Sequence, residues 1–216
     1  MSEENNHSHS DDDWPYPHPK QPDMEDGEIT ELMVMTDAVA ELMIDKGYFT
    51  ADDMRRTLEA IDAKTPAEGA RMIARAWLDA DFKARMLEDV NAVAAEMDID
   101  AGVIPIRAIE NTPDVHNAIV CTLCSCYPKY LIGLPPDWYK SRNYRSRMIR
   151  EPRAVLAEFG TELPDDVEVR VHDSTAELRL MIMPMRPRGT EGMDEDALAD
   201  LVTRDCMIGV TVIDRD

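Results

Sequence analysis

Three cysteines lie within six residues of this chain, at Cys121, Cys124 and Cys126. A disulfide framework spreads its cysteines along the chain to join distant segments, whereas clustered cysteines indicate metal or redox chemistry. The fourth cysteine, Cys206, stands apart from the cluster. Residues 121–126, called the cysteine loop below, are therefore predicted to close around a transition-metal ion.

The spacing C-x-x-C-x-C favours one metal geometry. A tetrahedral zinc site or an iron–sulfur cluster needs four ligands, usually from separated groups. Four donor atoms of the cysteine loop can close unstrained chelate rings around one ion. They are the thiolate and backbone nitrogen of Cys126, the backbone nitrogen of Ser125 and the thiolate of Cys124. Together they form a plane of two nitrogens and two sulfurs, with Cys121 able to reach an axial position and a sixth position open. Deprotonated backbone nitrogens favour trivalent Co(III) or Fe(III) over zinc.

Charge excludes several classes of partner. The 216 residues carry a formal net charge of −21, which repels nucleic acids and anionic lipid surfaces. No apolar run is long enough to cross a bilayer, and the acidic N-terminus is unlike a secretory signal. We therefore expect a cytoplasmic protein with no nucleic-acid or membrane partner.

Composition changes divide the chain into three predicted parts. Residues 1–27 are rich in Asp, Glu, His and Pro and predict a disordered or extended acidic arm. Residues 28–100 carry helical periodicity, and residues 101–216 alternate helical and strand-like segments. The predicted fold class is α+β, with a helical N-terminal region and a layered α/β domain, metal-binding and catalytic, around a mostly antiparallel sheet.

Individual elements follow from caps and apolar patterns. Thr65 is predicted to cap a helix with Pro66 at its first position. Strand-like segments at 167–171 and 178–183 predict a β-hairpin, and 207–213 predicts a last strand. Further helices are expected over 137–148, from Pro152 to about Gly160, and over 194–202.

The sequence around the cysteines resembles a known family. Residues 120–126 (VCTLCSC) match the motif V-C-[ST]-L-C-S-C of nitrile hydratase α-subunits, and the likeness covers roughly residues 28–212. The flanking segments that carry it are ARAWLD at 74–79, GLPPDWYKS at 133–141, REPRAVL at 150–156, RP-GTEG at 186–192 and VTRDCMIGV at 202–210. The resemblance implies the nitrile hydratase α-subunit fold.

The resemblance also implies roles for individual residues. Cys121 would be the axial thiolate, Cys124 would be oxidised to the sulfinic acid and Cys126 to the sulfenic acid. Ser125 and Cys126 would give backbone nitrogens and lie at the catalytic centre. Thr122 stands where cobalt-type members carry Thr and iron-type members carry Ser, so one Co(III) per chain is expected, with Fe(III) as the alternative. No organic cofactor is expected.

The implied reaction is the hydration of a nitrile to an amide, a lyase reaction. The metal would act as a Lewis acid toward the nitrile or activate a bound water. In the family, arginines of a β-type subunit contact the oxidised cysteines, so this chain would be active only in an αβ dimer or α2β2 heterotetramer. A metallochaperone or activator is a further possible partner.

One departure from the family concerns the substrate. Nitrile hydratases commonly carry a Trp-Pro step where this chain has Lys129 and Tyr130, which are expected to line the substrate pocket. Related thiocyanate hydrolase γ-subunits carry a basic residue there, so a γ-type subunit is the alternative. A non-catalytic metal-binding subunit is a third interpretation. A thioredoxin-like pair at Cys121 and Cys124 lacks the early βαβ context that it would need.

Four features outside the motif are given structural interpretations. Cys206 is expected to be a small buried residue, His116 a surface or hydrogen-bonding histidine, and His172 a structural one. Arg204 and Asp205 are interpreted as an ion pair or cap, with a subunit contact as the alternative. A basic cluster is interpreted as a salt-bridged helix face, with a partner contact as the alternative; it comprises Arg145, Arg147 and Arg153.

Overall fold

The structure is a computed structural model that describes residues 29–124 and 126–213. The predicted acidic arm, residues 1–27, lies outside the described residues. The helices of the described part are α1 (Glu31–Asp45), α2 (Ala51–Asp62), α3 (Ala67–Leu78), α4 (Ala80–Glu88), α5 (Val90–Glu96), α6 (Lys129–Ile132), α7 (Asp137–Lys140), α8 (Arg142–Arg150), α9 (Pro152–Glu158), α10 (Glu195–Ala199) and α11 (Arg204–Ile208). The strands are β1 (Ile106–Glu110), β2 (Val115–Val120), β3 (Glu168–Asp173) and β4 (Arg179–Met183).

Side-chain caps set the starts of the N-terminal helices. Thr50 and Asp53 form a reciprocal capping box at α2, and Asp79 and Asp89 cap α4 and α5. Helix α3 starts one residue later than predicted, with Pro66 in the N-cap position and no side-chain cap. Helices α3 to α5 bury apolar side chains, whereas α1 and α2 bury none.

The predicted antiparallel sheet is wrong. The described strands form two parallel pairs, β1 with β4 and β2 with β3, so the mostly antiparallel arrangement and the hairpin between 167–171 and 178–183 are both absent. Helices α6 to α9 connect β2 to β3, which gives the long crossover that parallel strands need. The apolar run in β4 is buried on both faces, as is typical of parallel sheets, so alternation does not identify its partner.

The predicted last strand at 207–213 is also wrong. Its first residues belong to helix α11, whose N-terminus is capped by Thr203 and which ends at Gly209 with φ of 88°. Cys206, Met207 and Ile208 are buried, so a short apolar run fits a buried helix as well as a strand. The helix predicted at 194–202 is confirmed as α10, and the one from Pro152 as α9.

The helix predicted over 137–148 is divided at Ser141. The Ser141 side chain accepts a hydrogen bond from the backbone N–H of Tyr144, which starts α8 as a separate helix. The corner between α7 and α8 carries buried aromatic rings that pack edge to face: Trp138, Tyr139, Tyr144 and Phe159. This aromatic corner packs beside the carboxyl end of β2, where the cysteine loop begins.

No helix of the described residues is both long enough and apolar enough to span a membrane.

Candidate metal centre

The cysteine loop leaves the carboxyl end of a buried parallel strand. Val120 is fully buried and lies opposite Asp173 in the β2–β3 pair, and Cys121 follows it. The Sγ atoms of Cys121 and Cys124 lie 3.5 Å apart, and those of Cys124 and Cys126 lie 3.2 Å apart. All three sulfurs fall within 4.8 Å of one another. The structure thus brings together the three thiols on which the metal prediction rests.

Two of the sulfur separations fall in the range expected for thiolates that share a metal ion. A metal–thiolate bond of about 2.3 Å places two sulfurs about 3.3 Å apart at a right angle and about 3.8 Å apart at a tetrahedral angle. The 3.2 Å separation of Cys124 and Cys126 is near the first value, and the 3.5 Å separation of Cys121 and Cys124 lies between the two. The donor set could therefore hold a transition metal. Ser125, the predicted nitrogen donor, lies outside the described residues, so its role stays a prediction.

Burial opposes ionisation of the thiols in the absence of a cation. Removal of Cys126 from water, followed by its hydrogen bonds with Cys124 and Cys121, raises the pKa of the Cys126 thiol to about 12, while Arg179 acts in the opposite direction. Cys121 and Cys126 are buried and Cys124 is exposed. A bound cation would reverse the balance, because metal ligation deprotonates a thiol outright.

Asp173 anchors the start of the cysteine loop. Its carboxylate accepts hydrogen bonds from the backbone N–H of Thr122 at 3.0 Å and from the Thr122 hydroxyl at 2.6 Å. The Thr122 hydroxyl, predicted to influence the choice of metal, thus donates to a carboxylate of β3. The predicted hairpin between 167–171 and 178–183 would place Asp173 in a turn, where this contact is not expected. The contact follows from the pairing of β2 with β3, which places Asp173 beside Val120 at the end of the strand.

Two tyrosines of the aromatic corner hold the chain on either side of the loop. The Tyr144 hydroxyl donates to the carbonyl of Ile119 at 2.8 Å, and the Tyr139 hydroxyl donates to the carbonyl of Cys126 at 3.0 Å. Both side chains are almost fully buried, and burial raises the pKa of both phenols far above their usual value. The sequence places Tyr139 in the helix predicted over 137–148 and indicates no role for its hydroxyl.

The two residues predicted for the substrate pocket line one cleft. Lys129 and Tyr130 border a cleft of about 490 Å³ together with Arg179, which we call the Lys129 cleft. Its other walls are Ala101, Gly102, Val103, Ile104, Ile106, Tyr127, Pro128, Leu134 and Pro135. Among these described residues there are two cationic side chains and no carboxylate. The Lys129 ammonium also lies 5.6 Å from the centre of the Tyr130 ring.

The remaining candidates have structural contacts. Cys206 is buried in α11 and is not among the three clustered thiols. His116 is buried and shares a 2.8 Å hydrogen bond with the carbonyl of Gly209, which fits the hydrogen-bonding interpretation. His172 lies 2.8 Å from the side-chain oxygen of Asn117. The interpretation of Arg204 and Asp205 as an ion pair agrees with their 3.7 Å separation.

The basic cluster is salt-bridged in only one of its members. Arg147 pairs with Glu151 and Glu158. Arg145 instead donates to the carbonyls of Lys140 and Thr122, and Arg153 donates to the carbonyls of Leu163, Pro164 and Val167. Two of the three arginines thus hold backbone rather than carboxylates, and Arg145 does so at the cysteine loop.

Comparison with known proteins finds relatives that cover most of the chain. The family described as "Nitrile hydratase, alpha chain" matches residues 30–211. The low-molecular-weight cobalt-containing nitrile hydratase subunit alpha of Rhodococcus rhodochrous is 46% identical over 185 residues, covering 84% of this chain and 89% of that protein. The thiocyanate hydrolase subunit gamma of Thiobacillus thioparus is 41% identical over 197 residues, covering 86% and 81%.

Solved structures share the fold. A recombinant thiocyanate hydrolase with partially modified cobalt centres matches with a TM-score of 0.79 at 40% identity, over 87% of this chain and 92% of that chain. An Fe-type nitrile hydratase of Comamonas testosteroni Ni1 matches with a TM-score of 0.77 at 39% identity, over 85% and 92%. The α-subunit fold expected from the sequence is thereby confirmed, and the chain belongs to the nitrile hydratase alpha-chain family.

Proposed function

We propose that this chain is the metal-carrying subunit of a cobalt nitrile hydratase, which adds water to a nitrile and releases the amide. The observation that carries the proposal is the clustering of three thiols within 4.8 Å of one another, in a chain whose relatives include cobalt-containing nitrile hydratase subunits. A thioredoxin-like pair uses only two thiols, and a structural zinc site would need a fourth ligand beside these three.

The proposed ligands are Cys121, Cys124, Cys126 and the backbone nitrogens of Ser125 and Cys126. The Cys121 thiolate would hold the metal, and Cys124 and Cys126 would carry added oxygen as sulfinic and sulfenic acid. Exposure of Cys124 would leave its sulfur accessible to an oxidant from solvent, whereas the chain encloses Cys126.

Bound there, the metal would supply Lewis acidity toward the nitrile nitrogen or a water molecule. The chain's own residues would bind and orient. Cys126 is only 7% exposed, and Tyr127 beside it is 5% exposed, so bulk water is excluded from one side of the centre. The oxygen that Cys126 would carry is proposed as nucleophile or general base, and the next residue, Tyr127, lines the Lys129 cleft.

The choice of cobalt over iron rests on Thr122 and on the cobalt-containing relatives. An Fe-type neighbour makes iron the alternative. Thr122→Ser tests the choice: when cobalt and iron are both supplied, the wild-type chain should take up cobalt and the variant should take up a larger fraction of iron. An unchanged cobalt-to-iron ratio would remove Thr122 as a determinant of the metal.

Thiocyanate hydrolysis is the second candidate, and the Lys129 cleft favours it. Lys129 and Arg179 make this cleft cationic in a strongly acidic chain, which suits a small anion. The experiment that divides the two is turnover of a neutral nitrile and of thiocyanate by the complex with its partner subunit. Amide formation with no thiocyanate loss supports the proposal, and the reverse result places the chain with the γ-type subunits.

A variant at Lys129 tests whether the charge of this side chain selects between a nitrile and thiocyanate. Lys129→Met keeps the length of the side chain and removes the charge. If the cation selects an anionic substrate, this variant should raise KM for thiocyanate about tenfold or more with little effect on a neutral nitrile. Lys140→Met, a change at an exposed lysine paired with Asp137, is the control.

A partner subunit is part of the proposal. The relatives are subunits of nitrile hydratases or of thiocyanate hydrolase. We propose a β-type partner in an αβ dimer or α2β2 tetramer, assembled in the cytoplasm, with the metal delivered by an activator. We further propose that residues 28–100 form a helical region that contacts this partner, and that residues 101–216 form the metal-binding domain.

A further inference from the structure

We propose that Tyr139 is a positioning residue for the metal centre, fixing the backbone of Cys126 through a hydrogen bond to the Cys126 carbonyl. The inference rests on the proposed function for the identity of the ligands, but the contact itself is a feature of the chain. The Tyr139 hydroxyl donates to that carbonyl at 3.0 Å.

The hydrogen bond from Tyr139 restrains the backbone of Cys126, which sets the directions of the Cys126 nitrogen and thiolate. The nitrogen, Cβ and carbonyl carbon of Cys126 share one Cα, so a fixed carbonyl restricts rotation about the Cα–C bond. Cys126 is the one proposed ligand that contributes both a sulfur and a nitrogen. Its Sγ lies 3.2 Å from that of Cys124, and small backbone rotations would change this separation.

The donor is itself held rigidly. The Tyr139 side chain is 0% exposed, and its ring packs against Tyr127 at 5.0 Å and Tyr144 at 5.8 Å between centroids. Helix α7 therefore presents a fixed donor to Cys126.

Tyr144 supplies a matched comparison from the same aromatic corner. It is 2% exposed, and its hydroxyl donates to the carbonyl of Ile119 at 2.8 Å. Ile119 lies in β2 and is not a proposed ligand. Tyr139→Phe and Tyr144→Phe thus remove the same atom, a buried hydroxyl bonded to a backbone carbonyl, but only the first carbonyl belongs to a ligand.

The test uses the full chain co-expressed with its partner subunit in cobalt-supplemented medium. Cobalt per chain, the sulfur-to-metal absorption band, and the rate of cobalt loss to EDTA are measured for the wild type and both variants. Thermal unfolding is measured alongside, and both variants should lose a similar amount of stability. Only Tyr139→Phe should shift the absorption band and speed cobalt loss, by about 10- to 100-fold.

A second measurement needs no metal. In the metal-free full chain, iodoacetamide labelling mapped by mass spectrometry reports how well each thiol is enclosed. Cys126 should be protected in the wild type and in Tyr144→Phe, and should become several-fold more reactive in Tyr139→Phe, with Cys206 protected in all three. Equal Cys126 labelling in all three chains, or equal effects of the two variants on cobalt loss, would overturn the positioning role.

The two readouts separate this inference from the proposed function. A wild-type complex without cobalt or iron would contradict the proposed function, and the labelling pattern would then still decide whether Tyr139 fixes Cys126. If Tyr139→Phe changes neither the absorption band nor the cobalt loss of a cobalt-loaded complex, the proposed function stands and the positioning role is removed.

Discussion

Thr122 shows how a single side chain fixes the cysteine loop to the sheet. Its hydroxyl and its backbone N–H both donate to Asp173, and the hydroxyl contact is the shorter at 2.6 Å. Thr122→Val keeps the shape and removes the hydroxyl donor. We expect it to lower the free energy of unfolding by about 1 kcal/mol, since one hydrogen bond to a charged group is lost at an exposed site.

Thr122→Ser is the control, because it retains the hydroxyl. Urea unfolding of the metal-free chain should place Thr122→Ser closer to the wild type than Thr122→Val. If both variants unfold at the same urea concentration as the wild type, the Asp173 contact contributes no stability.

Sequence and structure agree best at the three clustered cysteines. The spacing of Cys121, Cys124 and Cys126 predicts their proximity, because a loop of six residues cannot separate them far. The contacts of Asp173, Tyr139 and Arg179 were not predictable in the same way. Each comes from a distant part of the chain, and only the packing of β3, α7 and β4 brings it to the cysteine loop or its cleft.

Among the secondary-structure elements, helix α11 ends at Gly209, where the chain turns. Gly209 has φ of 88°, and an added Cβ would lie 2.2 Å from the carbonyl oxygen of Asn117. Gly209→Ala should therefore lower the free energy of unfolding by more than about 3 kcal/mol, through backbone strain and displacement of β2.

Gly192→Ala is the matched control, because no atom lies within 4 Å of its added Cβ. Its effect should stay within about 0.5 kcal/mol. Thermal or urea unfolding of both variants measures the difference, and a Gly209→Ala chain as stable as Gly192→Ala would contradict the packing described between α11 and β2.

The same contact predicts a pH dependence. Burial lowers the pKa of His116 below its ordinary value of 6.5, and the hydrogen bond to Gly209 only partly opposes this. The unfolded chain therefore takes up a proton before the folded chain does. Stability from this group is fully present above about pH 6.5 and decreases as pH falls toward the folded pKa.

His116→Gln retains an amide donor for the Gly209 carbonyl and cannot titrate. Between pH 7.5 and 5.5 its unfolding free energy should fall less steeply than that of the wild type, by up to about 1.4 kcal/mol per pH unit. Some slope should remain, because burial also lowers the pKa of His172. Identical slopes in urea titrations of the two chains would show that His116 is not titrating as described.

The strands show where pattern reasoning reaches its limit. The apolar segment at 178–183 is recognisable as a buried strand, but alternation carries no information on which strand lies beside which. The described strands pair in parallel, and helices α6 to α9 provide the long connection that β2 and β3 need. Likewise, the apolar residues after Thr203 fit either a strand or a helix until the cap and Gly209 are considered.

Helix α1 buries none of its side chains against the rest of the described chain. Leu32, Met35, Val39 and Leu42 share one face at spacings of three and four residues, and their exposed fractions are 71%, 57%, 49% and 51%. Such a face is typical of a helix that packs against another chain. We expect it to contact the partner subunit.

Met35→Glu with Leu42→Glu tests this expectation. Both positions are exposed in the single chain, so its unfolding temperature should change little, whereas co-purification with the partner subunit should fall at least tenfold. Glu41→Lys, on the opposite face of α1, should leave the complex intact. A complex of normal size and yield with the double variant would contradict the contact, and loss of a homodimer would indicate a second copy of this chain instead.

We propose that the three clustered thiols hold a catalytic transition metal. Elemental analysis of the complex purified with its partner subunit tests this, alongside Cys126→Ser and the control Cys206→Ser. We predict about one cobalt or iron per copy of this chain in the wild type and in Cys206→Ser, and a large loss in Cys126→Ser. Zinc alone, no metal, or a full complement of metal in Cys126→Ser would show that these thiols do not hold such an ion.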